Sequence, residues 1–157
     1  MSELAFSHVG VCCSDLERST RFYRALGFTE VFTMELGDEV AATMEQTQGG
    51  IRFESRMLAR GDVRLELLHW LAPEASGPTT RRAMTRLGMT HLCFRVGDID
   101  AVAAELEEHG AEVHRSTRSE LPNPGGQPVR LMYVTDPDGV RVELMSGVPE
   151  IRASGGS

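Results

Sequence analysis

Apolar and polar residues alternate through Ser7-His8-Val9-Gly10-Val11. This predicts a strand with Val9 and Val11 on one face and Phe6, His8 and Gly10 on the other. The spacing then lengthens. Leu16, Tyr23 and Leu26, with Phe22 beside them, form the stripe of an amphipathic helix. Ser14 or Asp15 can cap its start, Glu17 suits its first turn, and Gly27 suits the left-handed position after its end. Residues 28–40 read as a strand with a turn near Gly37-Asp38, and 46–50 as a loop. Residues 51–58 alternate again, Arg60-Gly61-Asp62 makes a tight turn, and 63–68 form another strand. The order is β-α-β-β-β.

The same order returns. A strand is predicted over 90–96 and a helix over 98–108, with Ile99, Val102, Ala103 and Leu106 on its apolar side and Gly110 at its stop. Strands follow at 111–115 and 130–135, separated by a loop at 118–127 that could act as a lid or as an ordinary surface connection. Asp136-Pro137-Asp138-Gly139 is a strong turn signal before the last strand, 140–145. The repetition is literal. FSHVGVCCSDLERSTRFYRALGF at 6–28 matches MTHLCFRVGDIDAVAAELEEHGA at 89–111, and His8 maps to His91, Asp15 to Asp98 and Gly27 to Gly110 at one offset of 83. DVRLELL at 62–68 likewise rhymes with GVRVELM at 139–145, setting Glu66 against Glu143. Two similar modules, 6–71 and 89–147, are therefore expected within a single domain over 1–147, with a connector at 72–88 and a flexible tail at 148–157. The connector's Arg81, Arg82 and Arg86 are placed on a short helix. They present either a solvated face or an anion contact for a substrate or partner subunit.

Strand alternation sorts the polar residues. If Val63, Leu65 and Leu67 face the helix, Arg64 and Glu66 face away. The same logic turns Arg141 and Glu143 away in the last strand, and His91, Cys93 and Arg95 away in 90–96. His8 follows with Phe6 and Gly10. Two imidazoles and two carboxylates on such faces suit a borderline divalent metal: Zn, Fe, Ni, Co or Mn. A lone strand histidine is usually a packed or surface residue, and a lone glutamate an edge charge. The joint recurrence of His8, Glu66, His91 and Glu143 is what favours a ligand set. His69 and His114 lack that support and read as strand-end residues, whereas His109 suits the last turn of a helix. Glu54 is a weaker catalytic candidate, more simply a solvated charge between Arg52 and Arg56.

Composition narrows the partners. A net charge of −7 and a pI near 5.2 argue against nucleic acid. All 16 basic residues are Arg, which excludes a lysine Schiff base or a P-loop lysine within the chain. Cys12, Cys13 and Cys93 are an odd set without CxxC spacing. With no secretory segment and no membrane-spanning apolar run, they point to the cytoplasm.

The quoted repeats, together with YVTDPDGVRVELM, resemble the vicinal oxygen chelate superfamily, also called the glyoxalase/bleomycin-resistance/extradiol-dioxygenase family, over about 6–147. The resemblance implies an α+β fold of tandem βαβββ modules, with curved mixed sheets forming a metal-binding cavity, commonly in a homodimer. Members similar in ligand pattern, glyoxalase I and methylmalonyl-CoA epimerase, bind a divalent metal at these four positions. That role falls on His8, Glu66, His91 and Glu143. It makes Glu143 the first candidate base and Glu66 the second, acting on a small carbonyl compound. A fourth ligand at Glu66 leans toward a lyase, isomerase or epimerase. A metal-dependent dioxygenase of the extradiol type and a metal-free drug-binding protein are the alternatives.

Overall fold

The computed structural model describes residues 4–44, 49–124 and 126–149 of the 157. Within it the chain divides into two compact units, Met1–Thr79 and Thr80–Ser157. The flexible tail expected at 148–157 falls largely outside the described residues, as does most of the loop at 46–50.

The first unit runs β1 (Val9–Cys13), α1 (Leu16–Ala25), β2 (Thr29–Gly37), a short α2 (Asp38–Ala41), a 3-10 turn (Ala42–Met44), β3 (Arg52–Arg60) and β4 (Val63–Ala72). Its sheet has the order β1-β4-β3-β2. β1 is parallel to β4 and the other pairs are antiparallel, so the sheet is mixed. The second unit runs β5 (Leu92–Arg95), α3 (Ile99–Glu108), β6 (Glu112–Leu121), β7 (Val129–Thr135) and β8 (Arg141–Ser146), in the sheet order β5-β8-β7-β6. The fold is α+β, two βαβββ units as the repeat predicts.

Both helices are held by the devices the sequence signals. The Asp15 side chain accepts from Arg18 N at 2.8 Å, and Asp98 accepts from Asp100 N and Ala101 N. At the far ends Gly27 and Gly110 have φ of 87° and 91°. Gly27 N donates to Arg24 O and Phe28 N to Tyr23 O. Gly110 N and Ala111 N repeat the pattern onto Glu107 O and Leu106 O. These are two Schellman closures, and a left-handed residue is what each requires. The bond from Arg18 N holds the Asp15 carboxyl below its ordinary value of 3.8. Its stabilisation is therefore present at neutral pH and lost as pH falls through the depressed native value. Asp15→Ala is expected to cost about 1 kcal/mol in urea melts at pH 7, with the difference from wild type shrinking below pH 4.

The apolar stripe of α1 closes onto one face of its sheet. Leu16, Phe22, Tyr23 and Leu26 are buried with Val11, Cys13, Leu58, Leu65 and Leu67. Phe22, Tyr23 and Phe28 meet edge to face, at 5.0 and 6.2 Å between neighbouring centroids. Ile99, Ala103 and Leu106 of α3 and Met132, Val134, Val142 and Leu144 form the buried set of the second unit. Cys12 is exposed and Cys13 buried, as adjacent strand residues should be.

Several assignments differ from the sequence reading. β2 stops at Gly37 because Asp38 turns the chain: its carboxylate accepts from Gly50 N and Ile51 N. β4 runs on to Ala72 because His69 and Trp70 find partners in Glu54 and Phe53. β6 extends through the first part of the expected loop. A register shift between His114 and Ser119 lets it continue, with the Thr117 hydroxyl donating to His114 O and accepting from Tyr133 N. The arginine-bearing connector forms turns rather than a short helix.

Candidate functional site

The two histidines sit one residue ahead of β1 and β5 rather than within them. Each is aimed at the glutamate of the strand that pairs with its own. In the first unit β1 lies parallel to β4 with Gly10 opposite Glu66, and His8 Nε2 is 3.2 Å from a Glu66 carboxylate oxygen. In the second, β5 lies parallel to β8 with Cys93 opposite Glu143, and His91 Nε2 is again 3.2 Å from a carboxylate oxygen. The structure thus brings the four predicted residues together as two alike pairs, one in each unit.

The other ring nitrogens are also treated alike. His8 Nδ1 is 2.9 Å from the Ser7 hydroxyl, and His91 Nδ1 is 2.9 Å from the Thr90 hydroxyl. When Nδ1 carries its proton and donates to the hydroxyl, Nε2 presents a lone pair to a carboxylate oxygen. In that tautomer the nitrogen and the carboxylate oxygen, 3.2 Å apart, are both open to a shared cation; in the other, Nε2–H donates to the carboxylate directly. Neutral imidazole and carboxylate oxygen are a donor set that divalent ions accept. The side chains present therefore fit such an ion. Among the described residues, no three His, Cys, Asp or Glu side chains gather as one ligand cluster. Each unit contributes a pair.

The pairs differ in their surroundings. The Glu66 carboxylate receives the Ser55 hydroxyl at 2.6 Å, and Met57 is its cross-strand neighbour on β3. Leu68 and Trp70 continue the same face of β4, and Trp70 stacks on Phe53 at 4.7 Å in a cluster with Ile51, Leu36 and Val40. The first unit thus sets its pair beside an apolar wall.

Glu143 is more enclosed, its side chain 8% exposed against 18% for Glu66. It lies in a row across the sheet, His114-Tyr133-Glu143-Cys93, set by the β6-β7-β8-β5 register. Tyr133 and Cys93 flank its carboxylate from β7 and β5, each placed to donate to it. Burial of the thiol and then the Glu143 carboxylate push Cys93 up to about 11, although the residue as a whole is exposed. Burial, then the Glu143 charge, raises the Tyr133 phenol as well. Both groups keep their protons at neutral pH and can donate to the carboxylate. Tyr133 also meets the His91 ring edge-on at 5.9 Å.

Glu54 does not share the Glu66 face. It pairs with His69 Nδ1 at 3.0 Å, on the side of the sheet that α1 covers. A cleft of about 360 Å³ lies there, lined by Ser14, Asp15, Leu16, Glu17, Glu54 and His69. Glu54 is not a member of the Glu66 pair, and it is tied to His69 rather than simply solvated between Arg52 and Arg56. Arg56 is committed to Glu17 at 2.8 Å instead. His109 accepts its expected place in the last turn, with Nδ1 2.8 Å from Glu105 O. His114 is not an ordinary strand end, because its Nε2 is buried without a partner. Ser55 and Tyr133 are neighbours that sequence reasoning did not single out, and Cys93 and Arg141 were placed on the right face but given no role in the site. The signal that could have found them is the cross-strand register of Glu66 and Glu143.

A family model described as Glyoxalase/Bleomycin resistance protein/Dioxygenase superfamily matches residues 5–144. The chain is similar to the ethylmalonyl-CoA/methylmalonyl-CoA epimerase of Cereibacter sphaeroides, 28% identical over 138 residues, covering 88% of this chain and 94% of the epimerase. It is also similar to the lactoylglutathione lyase of Schizosaccharomyces pombe, 30% identical over 157 residues, covering 93% of this chain and 48% of the lyase. Among solved structures, a glyoxalase family protein from Bacillus cereus matches with a TM-score of 0.78 at 22% identity, over 95% of this chain and 97% of that one. That likeness establishes the fold. No helix among the described residues is long and apolar enough to cross a membrane.

Proposed function

The chain belongs to the Glyoxalase/Bleomycin resistance protein/Dioxygenase superfamily, and from that premise we propose that it is a divalent-metal-dependent enzyme moving a proton alpha to the carbonyl of a small substrate. Epimerase or isomerase chemistry and a glyoxalase I-like lyase both fit this description. The observation that carries the reading is the repeated pair, His8 with Glu66 and His91 with Glu143, each at 3.2 Å. These four residues would hold the ion, one of Ni, Co, Zn, Mn or Fe. When bound, the ion would supply positive charge to the substrate oxygen on which negative charge develops.

The protein's own groups carry the rest of the chemistry. The Ser7 and Thr90 hydroxyls orient the two rings and leave each Nε2 turned toward its carboxylate. Glu143 is the first choice for taking and returning the proton, because it is the more enclosed and water competes least there. Glu66, restrained by the Ser55 hydroxyl, is the second. The Tyr133 and Cys93 donors keep the Glu143 carboxylate in place while it does so. The relatives named above as an epimerase and a lyase support this class of reaction. A cytoplasmic homodimer completes the proposal. Val31, Phe32 and Met34, exposed on the edge strand β2, support the presence of a partner surface.

The test is proton exchange. Protein loaded with each metal in turn is incubated in D2O with epimerisable acyl thioesters and with thiol adducts of 2-oxoaldehydes. Metal-dependent loss of the alpha-proton NMR signal is the expected result. If no metal supports exchange in either class, proton-transfer chemistry is not the activity.

A further inference from the structure

Among the described residues, a buried cation near Glu143 has no acidic partner. Arg141 is 6% exposed and projects from β8 on the same face as Glu143, two residues and about 7 Å along the strand. Its guanidinium lies over the Tyr133 ring, 5.8 Å from the centroid. Two of its N–H groups are tied to backbone carbonyls, Nη1 to Thr90 O at 3.2 Å and Nη2 to Arg82 O at 2.6 Å. Those bonds fix the guanidinium and leave its remaining donors uncommitted among the described residues. They also draw the connector onto this end of the sheet and bring Arg81 with it. Among the described residues neither Arg141 nor Arg81 makes an ion pair, in a chain whose net charge is −7. The Arg81 charge is felt at Arg141 and, with that of Arg141, at His114, whose other ring nitrogen, Nδ1, lies 3.7 Å from the exposed Glu112 carboxylate. His114 adds a buried Nε2 with no partner.

A buried charge without a counterion is costly unless something pairs with it. An unsatisfied buried ring nitrogen signals a missing partner. We infer that Arg141 and Arg81, with His114 beside them, form an oxyanion-binding site that takes a carboxylate or phosphate group of the substrate next to Glu143. The planar guanidinium fork matches either oxyanion, and fixing it in advance lowers the cost of binding. The inference rests on the enzyme reading above only in naming the anion as part of the substrate.

The test uses the full chain after chelation of metal, titrated by calorimetry with inorganic phosphate and with acetate. Saturable binding in roughly the millimolar range is expected, weakened at least about tenfold in Arg81→Ala and in Arg141→Gln, with partial recovery in Arg141→Lys, whose ammonium lacks the fork. Arg81 is exposed, so its variant keeps the test sound if Arg141→Gln fails to fold. Stronger binding of phosphate than of acetate assigns the site to a phosphate group, and equal or weaker binding assigns it to a carboxylate. Because the titration is run on chelated protein, the oxyanion site is read without the metal, and the two readings can fail separately. Absence of saturable binding for both anions, or binding unchanged in both arginine variants, overturns the inference.

Discussion

Reloaded with Mn, Fe, Co, Ni or Zn, the wild-type protein is expected to retain close to one ion per chain, and His8→Ala/His91→Ala to lose it. The loss in affinity should exceed about 100-fold, beyond the 10–100-fold that follows from removing an outer-shell partner. The double variant leaves Glu66 and Glu143 with no neutral nitrogen donor, and a set of hard carboxylates no longer selects a borderline ion. The fold should survive. Neither histidine belongs to the buried core: their side chains are 37% and 27% exposed, and both lie outside the strands. Circular dichroism and the urea midpoint should therefore move little. Elemental analysis after gel filtration is the measurement. Ser7→Ala and Thr90→Val form a graded control, since they release the rings without removing a ligand. Metal retained in the double variant would show that the ion sits elsewhere. Absence of metal in wild type under every loading would sink the metal reading and turn attention to ligand binding.

Legibility in the sequence followed the range of the physics. The helix stops at Gly27 and Gly110 were readable because a Schellman closure is settled within a few residues. The repeat was readable because it is written in identical residue types, at an offset of 83 from His8 to Gly27 and of 77 at Glu66, and it carried the βαβββ order with it. The facing of Glu66 and Glu143 followed from a period of two. What alternation cannot supply is register, since neighbours across strands depend on how far each strand has slid. Ser55 and Tyr133 reach their glutamates from other strands, and His69 finds Glu54 fifteen residues away. The length of β6 was hidden for a related reason. Its continuation depends on the Thr117 hydroxyl bridging a bulge, a tertiary contact within a segment whose composition reads as loop. The connector misled in the opposite way. Its arginines suit a helix by propensity, but Arg82 O is occupied by the guanidinium of Arg141, and a long-range bond overrode the local preference.

Glu143→Gln is expected to lower turnover by at least about 100-fold, the lower bound of what a positioned general base contributes. The substitution keeps shape and one carbonyl oxygen, so Tyr133 and Cys93 still have an acceptor and the strand register has no reason to shift. What it removes is the ability to take a proton. Glu66→Gln should cost less, because Glu66 is the more exposed of the two and the second choice as base. Metal content must be read beside the rates. A fall in kcat with metal retained locates the loss in proton transfer, whereas a fall that tracks lost metal locates it in binding. Tyr133→Phe separates the positioning role from the chemistry. It leaves the Glu143 base in place but withdraws a neighbouring hydroxyl, so the expected change is a smaller drop in kcat with metal content and KM unchanged. If Glu143→Gln kept full turnover while Glu66→Gln abolished it, the proton would pass through the first unit's pair. The clamp of Tyr133 and Cys93 would then mark Glu143 as a fixed ligand rather than the moving base.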